Sequence, residues 1–228
     1  MSKGTIVFVL GLGMALALGL SGCGGSSTST GPFTVGTETA ADVWTEDTGT
    51  TKPTVVDVRV ETDYATSHLP YAVNWPFAVE PSGVGPFTKI IVVGTNDTDG
   101  GAATLMLTGA APTLNRMIGG MNGYTYGLDY SPDYVESKLG TGQWLQIIDV
   151  RDATTFATAH IPGAVNDPLT TITTWGPTLT STAHYLMVCQ AGVRSATARD
   201  DLAVLGFTHV DTMAGGMNAW TYATATGP

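Results

Sequence analysis

The chain has 228 residues, enough for one large domain or two small ones, and 43% of them are hydrophobic, which suffices for a core. Only 12% are charged, and 19 acidic against 9 basic residues leave a net charge of −10. An anionic surface of this kind argues against binding nucleic acid or an acidic membrane surface, and an anionic ligand would need a local positive site.

The first residues read as a signal peptide over 1–22: Lys3 supplies a short positive region, Thr5 to Leu20 is apolar, and Leu20-Ser21-Gly22-Cys23 follows. That tetrapeptide resembles the bacterial lipoprotein processing site. The resemblance implies cleavage before Cys23, lipid modification of that cysteine, and a membrane-anchored protein of the cell envelope facing the periplasm or the exterior. An uncleaved transmembrane anchor is the alternative, although the run is short for about 30 Å of hydrocarbon. Residues 23–31 form a tether in which Gly24 to Gly31 are all Gly, Ser or Thr. With Cys23 lipidated, Cys189 is the remaining thiol and no intramolecular disulfide can form.

Downstream of the tether, Thr37 or Thr39 can cap a short helix through Val43 and Trp44. Val55 to Val58 reads as a buried strand, Glu61 to Ser67 as a short helix and Lys89 to Val93 as a strong strand. In the second half, Ser131-Pro132 opens a helix over Asp133 to Leu139. A strand from Leu145 to Val150, a helix from Asp152 to Ala159, a strand from Tyr185 to Val188 and helical spacing from Ser195 to Leu205 follow. Strands alternating with helices predict an α/β fold, a mainly parallel sheet flanked by helices, with ligands at the carboxyl ends of its strands.

The two halves repeat. Val55-Val56-Asp57-Val58-Arg59 matches Ile147-Ile148-Asp149-Val150-Arg151, and His68-Leu69-Pro70-Tyr71-Ala72-Val73-Asn74 matches His160-Ile161-Pro162-Gly163-Ala164-Val165-Asn166, both 92 positions on. Gly119-Gly120-Met121-Asn122 recurs as Gly215-Gly216-Met217-Asn218, 96 positions on. A long period repeated once predicts duplicated domains, over 32–126 and 131–228.

The chemistry converges on Cys189-Gln190-Ala191-Gly192-Val193-Arg194-Ser195, which joins a buried strand to a helix start. Unpaired amides and the positive dipole end of a helix favour an anion there, a neighbouring arginine adds to it, and Gly192 lets the amides turn inward. This heptapeptide resembles the active-site loop of the rhodanese family of sulfurtransferases. Asp149-Val150-Arg151 with His160-Ile161-Pro162-Gly163-Ala164, and Met213 to Trp220, resemble that family's two other signatures. The resemblance implies two tandem rhodanese-like domains, of which the second is catalytic. Cys189 would take a sulfur atom from a small anionic donor such as thiosulfate and pass it from a persulfide to a thiophilic acceptor such as cyanide or a thiol. Arg194 would bind the donor, and the amides of Gln190, Ala191, Gly192, Val193 and Ser195 would cradle the outer sulfur. Neither cofactor nor metal is implied.

In the first half Val93-Gly94-Thr95-Asn96-Asp97-Thr98-Asp99 stands where the reactive loop stands in the second, with Gly94 in place of Cys189 and no arginine. That half reads as catalytically silent. Asp149, Arg151 and His160 recur in it as Asp57, Arg59 and His68, which favours structural roles for all three pairs. Alternatives stay open: an inert buried Cys189, a carboxylate partner for Arg194, and a non-catalytic persulfide carrier or anion- and partner-binding module. A cysteine-loop phosphatase fits less well, because Cys189 and Arg194 enclose four residues rather than five.

Overall fold

The computed structural model describes residues 34–49, 52–76, 89–96, 98–100 and 113–228. The sequence read as leader and tether, Cys23 included, lies outside them, as does Asp97. Two sheets organise the described residues. The first has the order β1 (Thr34–Glu38), β6 (Thr113–Met117), β5 (Lys89–Val93), β2 (Thr54–Asp57), β4 (Val73–Asn74), and each pairing is parallel. The second runs β3 (Ser67–His68), β7 (Asp129–Tyr130), β11 (Val210–Met213), β10 (Tyr185–Val188), β8 (Gln146–Asp149), β9 (Val165–Asn166). Its pairings are parallel apart from β3 on β7, where the first half lends two residues to the second sheet. The fold is therefore α/β with mainly parallel sheets. The described residues pack as one compact unit.

The two central strands carry unbroken apolar runs, Ile90 to Val93 in β5 and Tyr185 to Val188 in β10, because they are covered on both faces. In β10, Tyr185 and Met187 point with Cys189 into a core of Ile148, Val150, Trp175, Ala198 and Leu202. Leu186 and Val188 face the opposite side, against Ile161, Trp144 and Trp220. β5 divides in the same way: Ile91 and Val93 pack on Leu69 and Tyr124, and Ile90 and Val92 on Val56 and Leu114.

Two helix starts follow predicted caps, at Thr39 and Ser131. α1 (Ala40–Asp47) is capped by Thr39, whose side chain and Asp42 form a reciprocal pair with the backbone. α2 (Glu61–Thr66) lies between β2 and β3, and α3 (Pro132–Lys138) is capped by Ser131 with proline in its first turn. α4 (Ala153–Thr158) is capped by Asp152, and α5 (Ile172–Trp175) is a single turn that buries Ile172 and Trp175. α6 (Val193–Val204) starts two residues before its predicted beginning, because Gly192, at φ 88°, turns the chain into the helix at Val193. α7 (Gly216–Ala219) closes the second sheet.

Candidate active site

β10 delivers Cys189 to the carboxyl edge of the second sheet, and the loop Gln190–Gly192 carries the chain into α6. Two backbone bonds fix that loop to α7: Met217 N donates to Cys189 O and Asn218 N to Gln190 O, each at 2.8 Å. The approach is so close that a methyl group on Gly216 would overlap Cys189 O and lie 2.8 Å from Ala191 N. Glycine is needed there for space as well as for its φ of 56°.

The loop amides form an open nest. Among the described residues, the N–H groups of Gln190, Ala191, Gly192, Val193, Arg194 and Ser195 have no acceptor, and no side chain caps α6. Six donors at the positive end of a twelve-residue helix make a site for an anion. A thiolate or persulfide on Cys189 would stand beside them.

The thiol is 1% exposed and shares a core with Met187, Ala198 and Leu202. Its contact is Ser195, with Sγ 3.5 Å from Oγ, and the Ser195 hydroxyl also lies 2.8 Å from Gly192 O, to which it donates. The sequence pointed to Arg194 as the neighbour of the sulfur. In the structure Arg194 is exposed, as are Ala191 and Val193, and among the described residues its side chain makes neither hydrogen bond nor ion pair. Its charge instead helps to hold the Asp152 carboxyl below the usual range, after the larger contributions of the Thr155 hydroxyl and amide. The reason is helical geometry: of two successive residues in the first turn, Ser195 faces the sheet and Arg194 faces solvent.

Side-chain contacts that the sequence did not reveal support the loop. Arg151 is 3% exposed, and its Nε and Nη2 hold both oxygens of Asp149 at 2.7 to 3.0 Å. Its Nη2 also donates to Ala159 O at 2.6 Å, and its Nη1 reaches Gln190 Oε1 at 3.1 Å. Gln190 Nε2 in turn donates to Asn218 Oδ1 at 2.5 Å. The Gln190 side chain thus ties β8 to α7 across the loop. Arg59 repeats the clasp on Asp57, and its Nη2 donates to Ser67 O at 2.7 Å. Thr95, where the second half has Gln190, offers no such strut. The shared clasp is structural, and the strut belongs to the second half alone.

The predicted histidines are structural as well. His160 Nδ1 bonds Phe156 O and His68 Nδ1 bonds Tyr64 O, each at 2.9 Å, with the imidazole stacked on the same aromatic residue. Among the described residues no group of three or more His, Cys, Asp or Glu is placed to hold a metal ion.

A family model described as "Rhodanese-like domain" matches residues 131–223. The chain is 32% identical over 81 residues to "Thiosulfate sulfurtransferase GlpE" of Shewanella oneidensis, covering 36% of this chain and 80% of the relative. It is 30% identical over 93 residues to "Putative sulfur carrier protein YrkF" of Bacillus subtilis, covering 41% of this chain and half of that protein's length. Among solved structures, a rhodanese-like domain protein from Staphylococcus aureus is 30% identical, with 43% of this chain and 96% of that one covered at a TM-score of 0.40.

Proposed function

Because the chain belongs to the rhodanese-like family, we propose that it is a sulfurtransferase of thiosulfate type, with Cys189 as nucleophile. The observation that carries this reading is the nest of six unpaired amides around the loop that begins with the one described cysteine. In the first step the Cys189 thiolate attacks the outer sulfur of thiosulfate. A bond forms between Sγ and that sulfur, the sulfur–sulfur bond of the donor breaks, and its electron pair leaves with sulfite. In the second step cyanide, or another thiophile, attacks the outer sulfur of the persulfide, forming thiocyanate and returning the thiolate. The nest carries the negative charge of both sulfur species, Ser195 touches the inner sulfur, and Arg194 at the exposed rim attracts the donor. The first half, with Gly94 at the matching position, is a catalytically silent second rhodanese-like domain.

Purified protein should yield thiocyanate from thiosulfate and cyanide, and Cys189→Ser should reduce the rate to that of the uncatalysed mixture. A Cys189→Ser variant that keeps its activity would sink the reading. Burial of the thiol favours a second one, in which the chain is a persulfide carrier loaded and emptied by partners. Intact mass spectrometry showing an adduct of about 32 Da on Cys189, without turnover of any small acceptor, would select the carrier.

The leader supports anchoring through Cys23 in a bacterial envelope. Metabolic labelling with palmitate tests it: label should enter the wild type and be absent from Cys23→Ala.

A further inference from the structure

Helix α6 belongs to both halves of the molecule. Ala198 and Leu202 pack into the core that holds Cys189, while Ala203 packs against the core of the first half. Between them Arg199 is fully buried. Its guanidinium lies 5.7 Å from the Trp44 ring and 5.0 Å from the Tyr71 ring, and its Nη2 is 3.2 Å from Asp47 Oδ2 at the end of α1. Asp200 receives Nε and Nη2 at 2.9 and 2.6 Å. Asp200 is held in turn by Lys52 at 2.9 Å and by the Tyr71 hydroxyl at 3.3 Å. Asp47, Trp44, Tyr71 and Lys52 all come from the first half.

This cluster is poorly built for stability. Asp47 is 1% exposed, and burial pushes its carboxyl up to about 6 against the pull of Arg199 and Lys52. Asp47 Oδ2 and Arg199 Nη1 are buried without a hydrogen-bond partner among the described residues. A buried ion pair whose remaining donors and acceptors go unmet does not repay its desolvation, so an apolar pair would hold the halves together as well or better. What the charged pair adds is direction, since each member fixes where the other must stand.

Position on the helix gives that direction a use. Ser195 and Arg199 are four residues apart, hence on one face and one turn apart. Ser195 Oγ is the atom 3.5 Å from the sulfur of Cys189. A small rotation or slide of α6 moves Ser195 and the first-turn amides relative to that sulfur, and displacements of about 1 Å are costly in such sites.

We propose that Arg199 is a positioning residue for the sulfur chemistry, held in register by Asp47, so that the half without a nucleophile sets the anion nest of the half that has one. The proposal deepens the sulfurtransferase reading and rests on Cys189 as its reactive group. Wild type, Asp47→Asn, Arg199→Lys and the double variant Asp47→Asn/Arg199→Met are compared by thermal melting, by kcat and KM for thiosulfate, and by the rate of Cys189 alkylation with iodoacetamide. The last readout needs no sulfurtransferase activity.

Asp47→Asn is expected to slow alkylation and lower kcat/KM at least about threefold. Arg199→Lys keeps the charge and loses the planar fork, so it should be slowed as well. The double variant, freed of an uncompensated buried charge, should regain melting temperature without regaining rate. Recovery of the rate together with stability would show that the pair acts only through folding and would overturn the proposal. So would folded single variants that react as the wild type does. Should Asp47→Asn not fold, the double variant and Arg199→Lys still decide between these outcomes. A wild type inert toward thiosulfate, whose alkylation nonetheless follows this pattern, would refute the sulfurtransferase reading and leave the positioning role standing.

Discussion

The loops after β5 and β10 are the same piece of architecture with opposite electrostatic outcomes. Gly94 O accepts from Met121 N at 2.9 Å and Thr95 O from Asn122 N at 3.0 Å, as Cys189 O and Gln190 O accept from Met217 and Asn218. What differs is who satisfies the amides. In the first loop Asn96 Oδ1 accepts from Thr98 N at 2.8 Å and from Asp99 N at 3.3 Å, while its carbonyl takes Gly100 N at 3.3 Å. In the second loop Ala191 stands in the matching place, and a methyl group accepts nothing. The cavity of about 270 Å³ beside the first loop is lined by Arg59, Asp63 and Asp99, and because Arg59 is paired with Asp57 at 2.6 Å the two carboxylates repel anions. The first loop thus differs from the second by more than a missing thiol: its amides are satisfied from within and its approach is acidic.

The scaffold under both loops should fail alike. Asp57→Asn and Asp149→Asn each unpair a buried arginine, and chemical denaturation should show about 3 to 5 kcal/mol lost in each. A loss confined to one copy would break the equivalence. Next in size is the attempt to revive the first loop. In Gly94→Cys the new Cβ would lie 2.6 Å from Gly100 N and 2.8 Å from Asp99 Cβ. The variant should lose about 1 to 3 kcal/mol, and mass spectrometry after thiosulfate should find no sulfur on residue 94. A persulfide there would mean that the thiol alone separates the copies.

A sharper test moves one side chain in the other direction. Ala191→Asn should cap the second loop as Asn96 caps the first, raising KM for thiosulfate roughly tenfold, the equivalent of about one neutral hydrogen bond, with the melting temperature unchanged or higher. An unchanged KM would remove the nest from the account.

The smallest effect concerns pH, on a feature of the second sheet alone. Asp211, 1% exposed, accepts from Trp144 Nε1 at 2.6 Å and Leu128 N at 2.8 Å, and lies 3.3 Å from His184 Nε2. That bond raises the His184 pKa above 6.5, against partial burial. The protonated pair therefore stabilises fully below about 6.5 and its contribution fades as pH rises through the higher folded value. Because His184 is one-third exposed, the effect should stay under about 1 kcal/mol, and His184→Gln should flatten it in denaturation curves between pH 6 and 8.

Much of the fold was legible because local physics and tertiary packing agree along it. Ile90–Val93 and Tyr185–Val188 are unbroken apolar runs, and they lie in the central strands found. Ser131-Pro132 announced a helix by cap chemistry and a helix stands there. Of the two caps the sequence offered, Thr39 caps α1 and Thr37 falls within Thr34–Glu38, whose residues carry no period. That segment is a strand because Thr113–Met117 lies beside it at the sheet edge. The cysteine, its glycine and its serine were visible as a group. The strut from Arg151 through Gln190 was not, nor was the exposure of Arg194 or the pairing of Asp47 with Arg199, for each depends on how distant elements meet.

The sequence by itself determined the α/β alternation, the motifs that recur between the halves and the placing of one cysteine between a strand and a helix, because these follow from period, propensity and spacing along a single chain. Only the tertiary structure decided which amides stay unpaired and which charges share a buried space. Those outcomes turn on distances of a few tenths of an ångström between segments up to 152 residues apart, as Asp47 is from Arg199, and no local pattern encodes such distances.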